Sequence, residues 1–322
     1  MGVATGARAV MPGFSRRGFL TSIAAGGSLM ASPVFARTSW RIQGAERGDL
    51  RMVFYTDIHA DTAPETSRAL DLATSAINAQ KADLVLCGGD LIAGGFTARP
   101  DQAAPRWDVY RSMTRAIEAE HHAVIGNHDL VGVRPADGSA PATDPRQDVK
   151  QRLGLSRTYR SFDALGYRFI LLDSVRISDG AHLYDGWVSA EQVAWVRDVL
   201  SSIPVGTPIV LMLHMPLLTT FFNATQGATF QAQANRVVIN NTEVLKLFAG
   251  HNLILVLQGH LHVTEAVQWR GTTFLTGGAV CGNWWRGSYF DTVEGINTIT
   301  LRGDRIEWEY IDYGWNARRK TP

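Results

Sequence analysis

The sequence predicts an α/β protein in which short strands are layered against helices. Short apolar runs rich in Val, Ile, Leu and Phe recur along the 322-residue chain, and segments with a helical period separate them. Strands that alternate with helices are typical of layered α/β folds. After Gly271 the apolar runs follow one another around the turn "GD" with no helix between them. This second pattern predicts an antiparallel sheet or an edge hairpin there.

Five of the predicted strands are clear, and three predicted helices lie among them. The strands are "LRMVFYT" (50–56), "DLVLCGG" (83–89), "AVIG" (123–126), "PIVLML" (208–213) and "LILVLQG" (253–259). The helices cover 63–80, 108–120 and 189–203. The third helix opens with Ser189, whose hydroxyl suits an N-cap. The stretch 96–107 is predicted to be a loop at the edge of the sheet.

The first 36 residues differ in kind from the rest of the chain. A paired arginine, Arg16 and Arg17, precedes a weakly apolar run that ends in "SPVFA", which is typical of a cleaved signal peptide. Phe19 and Leu20 after the pair resemble a twin-arginine export signal. The alternatives are an ordinary secretory signal or a basic tail before a surface helix. The run is too short and glycine-rich for a membrane-spanning helix.

Export by the twin-arginine route predicts a bacterial periplasmic or secreted protein, with the twin-arginine translocase as a transient partner. Because that route carries folded proteins out of a reducing compartment, Cys87 and Cys281 are predicted to be free thiols. One disulfide formed in the periplasm is the alternative.

Removal of residues 1–36 leaves residues 37–322, which no Pro/Gly/Ser-rich linker, charge block or repeat divides, so one domain is predicted. With 45% hydrophobic residues, this chain can bury a large core. The cleavage takes away three arginines and no acidic residue, so the formal charge falls from +1 to −2. A dedicated nucleic-acid binder would be strongly basic, and no nucleic acid is expected as a partner.

The five clear strands share one feature, which is that each is followed by side chains able to bind metals. Five of the nine histidines in the chain lie at these strand ends. In open α/β sheets, sites lie in the crevice at the carboxyl ends of the strands. The candidate metal ligands are Asp57, His59, Asp90, Asn127, His214, His260 and His262, and His128 lies beside Asn127.

The types and spacing of these residues favour a site for two metal ions. Residues i and i+2 of an extended segment point the same way, so Asp57 and His59 are expected to face one cavity. His260 and His262 are expected to do the same. A carboxylate such as Asp90 has two oxygens and can bridge two cations. A mixture of imidazole and carboxylate suits Mn, Fe or Zn better than Ca or Mg.

The order of these motifs resembles that of the calcineurin-like metallophosphoesterase superfamily. Its signature blocks are D-x-H, G-D, G-N-H-D, a histidine before proline, and G-H-x-H, and they occur in that order from Asp57 to His262. One block alone is weak evidence, because "GHLH" would also fit a turn with a surface histidine pair. The resemblance implies a four-layer α/β/β/α sandwich with two mixed β-sheets and a metal site at the carboxyl ends of the strands.

The resemblance also assigns roles to the candidate residues. One metal would be held by Asp57, His59, Asp90 and His262, and the other by Asp90, Asn127, His214 and His260. A water or hydroxide that bridges the two cations would attack the phosphate, and His128 would protonate the leaving oxygen. Asp129 would cap the loop. Folded export lets the cytoplasm choose the metals, so Mn or Fe is expected, with Zn as the alternative.

Ala93 departs from the pattern of several relatives. It stands three positions after Asp90, where purple acid phosphatases carry a tyrosine that binds iron(III) and Ser/Thr protein phosphatases carry an aspartate that supports the catalytic histidine. The chain is therefore expected to lack that ferric site and to differ from that class of protein phosphatase. What orients His128 stays open.

Two further segments bear on specificity. Residues 217–240, with Phe221 and Phe222, form a long insertion after His214 and are predicted to be an active-site lid. Trp284 and Trp285 fit core or rim packing better than a ligand shelf. Arg286 suits contact with a substrate phosphate, although a surface arginine needs no such explanation.

These features predict an exported phosphoesterase with two metal ions that acts on phosphodiesters or small phosphomonoesters. The rival enzyme is a cell-envelope phosphatase that acts on lipid or protein phosphate. A non-catalytic metal- or ligand-binding protein on the same scaffold is a further alternative, and the retention of every ligand argues against it. A nuclease finds no support in the charge of −2.

Overall fold

The computed structural model describes residues 49–180, 182–302 and 305–317, together with the backbone of residues 38–41. The predicted signal peptide and the turn at 303–304 lie outside the described residues. Within them the strands, in chain order, are β1 (Thr38–Arg41), β2 (Leu50–Tyr55), β3 (Leu84–Cys87), β4 (Glu120–Ala123), β5 (Arg160–Ala164), β6 (Tyr167–Leu171), β7 (Val175–Ile177), β8 (Tyr184–Gly186), β9 (Pro208–Met212), β10 (Asn252–Gln258), β11 (Glu265–Trp269), β12 (Thr272–Thr276), β13 (Gly295–Arg302) and β14 (Arg305–Asp312).

Six helices connect these strands in the described ranges. They are α1 (Pro64–Ala79), α2 (Pro100–Arg115), α3 (Gln147–Leu153), α4 (Ala190–Ser202), α5 (Phe221–Gln226) and α6 (Asn241–Leu247). None of the helices described here combines the length and the apolar character that crossing a bilayer requires.

The strands form two mixed six-stranded sheets and one small hairpin. The first sheet has the order β1-β14-β13-β2-β3-β4, and the second has the order β11-β12-β10-β9-β6-β5. Strands β2, β3 and β4 are parallel, and β13 joins them antiparallel to β2. In the second sheet β12, β10, β9 and β6 are parallel. The prediction of two mixed sheets is confirmed, as is the hairpin of β13 and β14 near the end of the chain.

The alternation of side chains along the strands builds the layers. Met52 and Phe54 of β2 point towards the second sheet and pack in one cluster with residues such as Phe169 of β6. Val53 and Tyr55 point the other way, into the cluster that contains the apolar faces of α1 and α2. Burial of each such side chain contributes roughly 1.5–3 kcal/mol. Helices α4 and α6 cover the second sheet in the same way, which gives the four layers expected.

Helices α1 and α4 and strand β3 agree with the sequence prediction, but the part of the chain from β3 to β4 does not. Helix α2 begins at Pro100, so the predicted loop over 96–107 is wrong for most of its length. Proline suits the first position of a helix, and the Arg99 N–H donates a hydrogen bond to Gln102 Oε1 (2.9 Å) at that end. Pro100 thus begins the helix, and Pro105 lies inside it.

Strand β4 covers Glu120–Ala123, three residues earlier than predicted, and the predicted helix over 108–120 ends at Arg115. His121 and His122 hid this strand because they interrupt the apolar pattern. The Tyr55 hydroxyl lies 2.7 Å from Nε2 of His121, and the His122 ring stacks on Phe162 at 4.0 Å. Both histidines are therefore residues of the sheet.

Candidate metal centre

All eight predicted site residues come together where five strands end. Asp57 and His59 follow β2, Asp90 follows β3, Asn127 and His128 lie in a 3₁₀ turn after β4, His214 follows β9, and His260 and His262 follow β10. The seven candidate ligands are buried, and His128 is partly exposed. Their roles stay predictions, but their convergence is a property of the fold.

Asp90 lies between two groups of ligands. Its Oδ2 atom is 3.6 Å from Nε2 of His59 and 3.3 Å from Nε2 of His214. Its Oδ1 atom accepts a hydrogen bond from the backbone N–H of His128 (2.8 Å), which fixes the carboxylate plane. The Oδ2 atom therefore has the position expected of a ligand shared by two cations.

The first group combines Asp57, His59 and His262 with Asp90. Oδ1 of Asp57 lies 3.3 Å from Nε2 of His262, and the Nε2 atoms of His59 and His262 are 3.1 Å apart. Oδ2 of Asp57 accepts hydrogen bonds from the Thr56 hydroxyl and the His260 N–H. Oδ1 is buried and, among the described residues, has no hydrogen-bond donor. A buried carboxylate oxygen without a donor is costly, and a cation would satisfy it.

The second group combines His214, His260 and Asn127 with Asp90. Nδ1 of His260 lies 3.2 Å from Nε2 of His214. The Oδ1 atom of Asn127 is buried and finds no donor in the described part of the chain. Asn127 thus offers a neutral oxygen at the same edge, which adds a ligand without adding negative charge.

Backbone carbonyls set the tautomers of three histidines. Nδ1–H of His214 donates to the Gly88 carbonyl (2.8 Å), and Nδ1–H of His262 donates to the Gly282 carbonyl (2.6 Å). His260 uses its other nitrogen, because Nε2–H donates to the Asn235 carbonyl (2.9 Å). In each ring the remaining lone pair faces the site, which is the arrangement of metal-binding histidines.

The backbone conformation at the ligand residues, rather than the alternation of side chains along a strand, directs the ligands towards the site. Five of them have positive φ angles: Asp57 (54°), His59 (44°), Asp90 (52°), His260 (70°) and His262 (58°). Asp57 and His59 face one site as expected, and so do His260 and His262, but the expected extended backbone is wrong, because the strands end before these residues. Left-handed backbone is unfavourable for residues with a Cβ and clusters at functional sites.

Two of the motif glycines make room for carboxylates. A Cβ at Gly126 would overlap Oδ1 of Asp90, and a Cβ at Gly259 would overlap the Thr56 hydroxyl and lie 2.8 Å from Oδ2 of Asp57. The glycines before Asn127 and His260 are thus required by close approach of the ligand strands.

His128 is held by a backbone donor. The Gly94 N–H donates a hydrogen bond to Nδ1 of His128 (3.1 Å), and burial lowers the pKa of His128. The neutral ring then carries its proton on Nε2. Asp129 is tied up elsewhere, since Oδ1 accepts from the Leu91 N–H (2.8 Å) and Oδ2 from the Gly126 N–H (2.8 Å). It caps the loops, as predicted.

The charges of the site are balanced by its histidines. Burial opposes ionisation of Asp90, but His214, His128 and His59 together outweigh it, so the pKa of Asp90 lies well below the usual range. Burial opposes protonation of His214, yet the nearby Asp90 and Asp57 raise its pKa to about 9. A cation bound beside these carboxylates would displace that proton, because a histidine ligand is neutral.

A cavity of about 230 Å³ opens beside the ligands. Several of the residues that line this cavity were not among the predicted site residues: Tyr184, Arg236, Asn283, Trp284, Arg286 and Tyr289. The Trp284 ring lies 3.9 Å from the His59 ring and 4.9 Å from the His128 ring, so it packs over the centre and lines the cavity. Trp285 packs inward, and its Nε1–H donates to the His59 carbonyl (3.1 Å). No pattern in the sequence marks Tyr184, which arrives from the β7–β8 hairpin.

The two cysteines take no part in a disulfide. Cys87 and Cys281 are both buried free thiols, as predicted. Cys281 lies close to the centre, with its Sγ atom 3.8 Å from Nδ1 of His262. This contact had no signal in the sequence.

Comparison with known proteins agrees with this geometry. Residues 50–264 match the model of the family described as calcineurin-like phosphoesterase, and the chain belongs to that family. It is a metal-dependent phosphoesterase, a hydrolase of a family that depends on two metal ions. The comparison with curated proteins gives no match.

Solved structures share the fold at low sequence identity. A dimetal phosphatase from Danio rerio is 14% identical, with 82% of this chain and 99% of that chain covered and a TM-score of 0.55. PhoD is 16% identical over 80% of this chain and 65% of that chain, with a TM-score of 0.57. GAP50, the anchor in the inner membrane complex of Plasmodium, is 12% identical over 83% and 85%, with a TM-score of 0.53.

Proposed function

We propose that this protein hydrolyses phosphodiesters or small phosphomonoesters with a pair of metal ions held by the seven buried ligands. The observation that carries the proposal is the position of the Asp90 Oδ2 atom, within 3.6 Å of a histidine nitrogen from each ligand group. The unpartnered oxygens of Asp57 and Asn127 lie one in each group, which supports one cation on either side of Asp90.

The first cation would be held by Asp57, His59, Asp90 and His262, and the second by Asp90, Asn127, His214 and His260. When bound, the two cations would polarise the phosphate and lower the pKa of a water between them. The donor set of imidazoles, carboxylates and one amide fits Mn, Fe or Zn. We expect Mn or Fe in the native enzyme.

The chain supplies the remaining groups. Nε2–H of His128 is free to donate a hydrogen bond to the leaving oxygen and stabilise its developing charge, because Nδ1 already accepts the Gly94 N–H. Transfer of a proton to that oxygen would require the imidazolium form of the ring. Arg236 and Arg286 line the cavity and bring positive charge to the phosphate oxygens. Trp284 covers His59 and His128 and limits the access of bulk water.

The place of action is part of the proposal. The double arginine at Arg16 and Arg17, followed by a weakly apolar run, supports export by the twin-arginine route to the periplasm or beyond. That location favours small-molecule or lipid phosphate esters of the cell envelope as substrates, and the translocase as a transient partner.

A second function deserves a test because the fold is not restricted to enzymes. GAP50, which shares this fold, is described as an anchor in a membrane complex. A binding protein on the same scaffold would not need the orientation of His128 or the two cavity arginines. Their presence beside a complete ligand set favours the enzyme.

The test is a substrate panel with the processed protein, assayed with Mn²⁺, Fe²⁺ or Zn²⁺. The panel contains nitrophenyl phosphate, bis-nitrophenyl phosphate and alkyl phosphates. Turnover of at least one ester by the wild type, and its loss in Asp90→Asn, would support the proposal. The matched control is Asp163→Asn, which removes an exposed carboxylate paired with Arg168 on β5 and β6. Absence of turnover with all three metals would leave the binding protein as the better account.

A further inference from the structure

We infer that an aromatic ridge beside the metal centre binds the apolar chain of an amphiphilic phosphate ester, so that the substrate is the phosphate of a long-chain alcohol or lipid. This inference rests on the proposed function. The ridge consists of Tyr289, Phe290, Phe221, Phe222 and Phe230.

The ridge is continuous from ring to ring. The ring centroids of Tyr289 and Phe290 are 4.7 Å apart, and those of Phe290 and Phe221 are 5.0 Å apart. Phe221 and Phe222 follow at 5.1 Å, and Phe222 and Phe230 at 6.0 Å. Two separate segments of the chain therefore contribute to one apolar surface.

The inner end of the ridge is part of the cavity. Tyr289 lines the cavity, and its ring centroid lies 6.5 Å from that of His262, one of the candidate ligands. The outer rings are open, since Phe290 is 53% exposed and Phe230 is 40% exposed. If the phosphate of a molecule occupies the metal centre, the rest of that molecule can lie along the ridge towards the surface of the protein.

The distribution of charge matches an amphiphile. Residues 217–235 contain no Asp, Glu, Lys or Arg, although most of their middle part is exposed. The next residue is Arg236, which lines the cavity with Arg286. Positive charge thus lies where the phosphate would bind, and the part of the ridge in residues 217–235 is uncharged, while the exposed Asp291 follows Phe290 in the other segment. Contiguous exposed apolar surface marks a binding site or an interface.

Hydrogen bonds hold the segment at both ends. At its start the Thr220 N–H donates to Oε1 of Glu265 on β11 (2.8 Å). At its end the Val238 N–H donates to the Pro216 carbonyl (2.9 Å), and the Gly186 N–H donates to the Ala234 carbonyl (2.7 Å). A preorganised apolar surface binds a chain without first having to order a loop.

The ring geometry favours a flexible chain over a flat aromatic group. Tyr289 and Phe290 meet at 84°, and Phe290 and Phe221 at 89°, so in the inner part of the ridge each ring edge meets the face of the next. Only the outermost pair, Phe222 and Phe230, is close to parallel, at 21°. The inner rings thus offer a grooved hydrocarbon surface beside the cavity. An alkyl chain needs only contact area, and each fully buried CH₂ strengthens binding by up to about fourfold.

The test compares propyl phosphate with decyl phosphate, both as monomers, since the two esters carry the same reacting group. For the wild type we expect kcat/KM to be about 10- to 100-fold higher for decyl phosphate. In the double variant Phe221→Ser/Phe290→Ser the ratio should fall towards one. The matched control is Val205→Ser, which alters a 94% exposed apolar side chain just before β9, at the opposite end of the strand from His214. Its ratio should equal that of the wild type.

The other outcomes separate the two proposals. Hydrolysis of both esters with a ratio near one would overturn the ridge inference and leave the proposed function intact. Hydrolysis of neither would overturn the inference, and the proposed function would fall with it only if the nitrophenyl esters of the substrate panel were not hydrolysed either. A high ratio that survives in the double variant would also contradict the inference. Binding of the wild type to phosphatidylcholine vesicles together with a ratio near one would assign the ridge to a membrane surface instead.

Discussion

The backbone amide of Gly94 donates a hydrogen bond to Nδ1 of His128 over 3.1 Å. The resemblance to Ser/Thr protein phosphatases would place an aspartate at position 93 to support this histidine, and the chain has Ala93 there. The backbone N–H of the next residue holds the ring instead. The hydrogen bond leaves the proton of the neutral ring on Nε2, from which it can be donated in a hydrogen bond to the leaving oxygen.

Replacement of His128 by Asn should lower turnover by roughly 10²–10⁴-fold, the usual scale of general acid–base catalysis. The metal content should stay at the wild-type level, because His128 holds no cation in this account. The loss should be smaller for nitrophenyl esters than for alkyl esters, because nitrophenolate leaves without a proton. His251→Asn, at the opposite end of β10, serves as control. An equal loss for both leaving groups would mean that His128 only positions the phosphate.

Gly259→Ala should destabilise the protein by about 1–3 kcal/mol, the usual cost of overpacking, and weaken metal binding. The new Cβ would collide with the Thr56 hydroxyl and press on Oδ2 of Asp57. Gly180→Ala is the matched control, because a Cβ there meets nothing closer than the Ser178 hydroxyl at 3.5 Å. Urea unfolding and metal titration of both variants measure the difference. Equal stability and affinity in the two variants would show that Asp57 is not held by this contact.

His121 should make stability depend on pH. Burial lowers its pKa to about 3, below the value of about 6.5 in an unfolded chain. Its contribution is therefore complete above pH 6.5 and is lost as the pH falls towards 3. Between pH 7 and pH 5 this loss is about 1–2 kcal/mol. His121→Gln, which keeps an acceptor near Tyr55, should show a correspondingly smaller decrease in the free energy of unfolding. The same decrease in both proteins would contradict the assignment.

Replacement of both Arg16 and Arg17 by lysine should block export, while the precursor should still fold and bind metal in the cytoplasm. Ligands from five separate strands meet only in the folded protein, so metal binding requires folding. Fractionation followed by immunoblotting and metal analysis checks this, with Arg8→Lys as control. Delivery of the double variant to the periplasm at normal levels would remove the export proposal.

Much of the site can be predicted from the sequence because each ligand follows an apolar run. Those runs predict strands, and parallel strands bring their carboxyl ends to one edge. The sequence does not show, however, which backbone conformation makes the ligand side chains converge. The left-handed backbone at Asp57 and His260 depends on neighbouring strands and close-packed glycines, which are tertiary features.

The residues of the site that were not predicted share one feature, which is that contacts distant in sequence bring them there. Tyr184 and Arg236 reach the cavity from a hairpin and an insertion whose paths are set by contacts distant in sequence, such as the hydrogen bond between Gly186 and Ala234. The same holds for Gly94, whose contribution is a backbone N–H. Such groups carry no residue-type signal. Strand β4 was misplaced for the opposite reason, because histidines occupy positions that apolar residues usually fill.

Metal analysis tests most directly whether Asp90 joins two metal ions in one centre. The wild type, purified after expression with Mn and Fe available, should contain two metal ions per chain. Asp90→Asn should contain fewer than two and should lose activity, while Asp163→Asn should keep both metals. An active wild type with a single metal ion, or Asp90→Asn with two ions and full activity, would contradict the account.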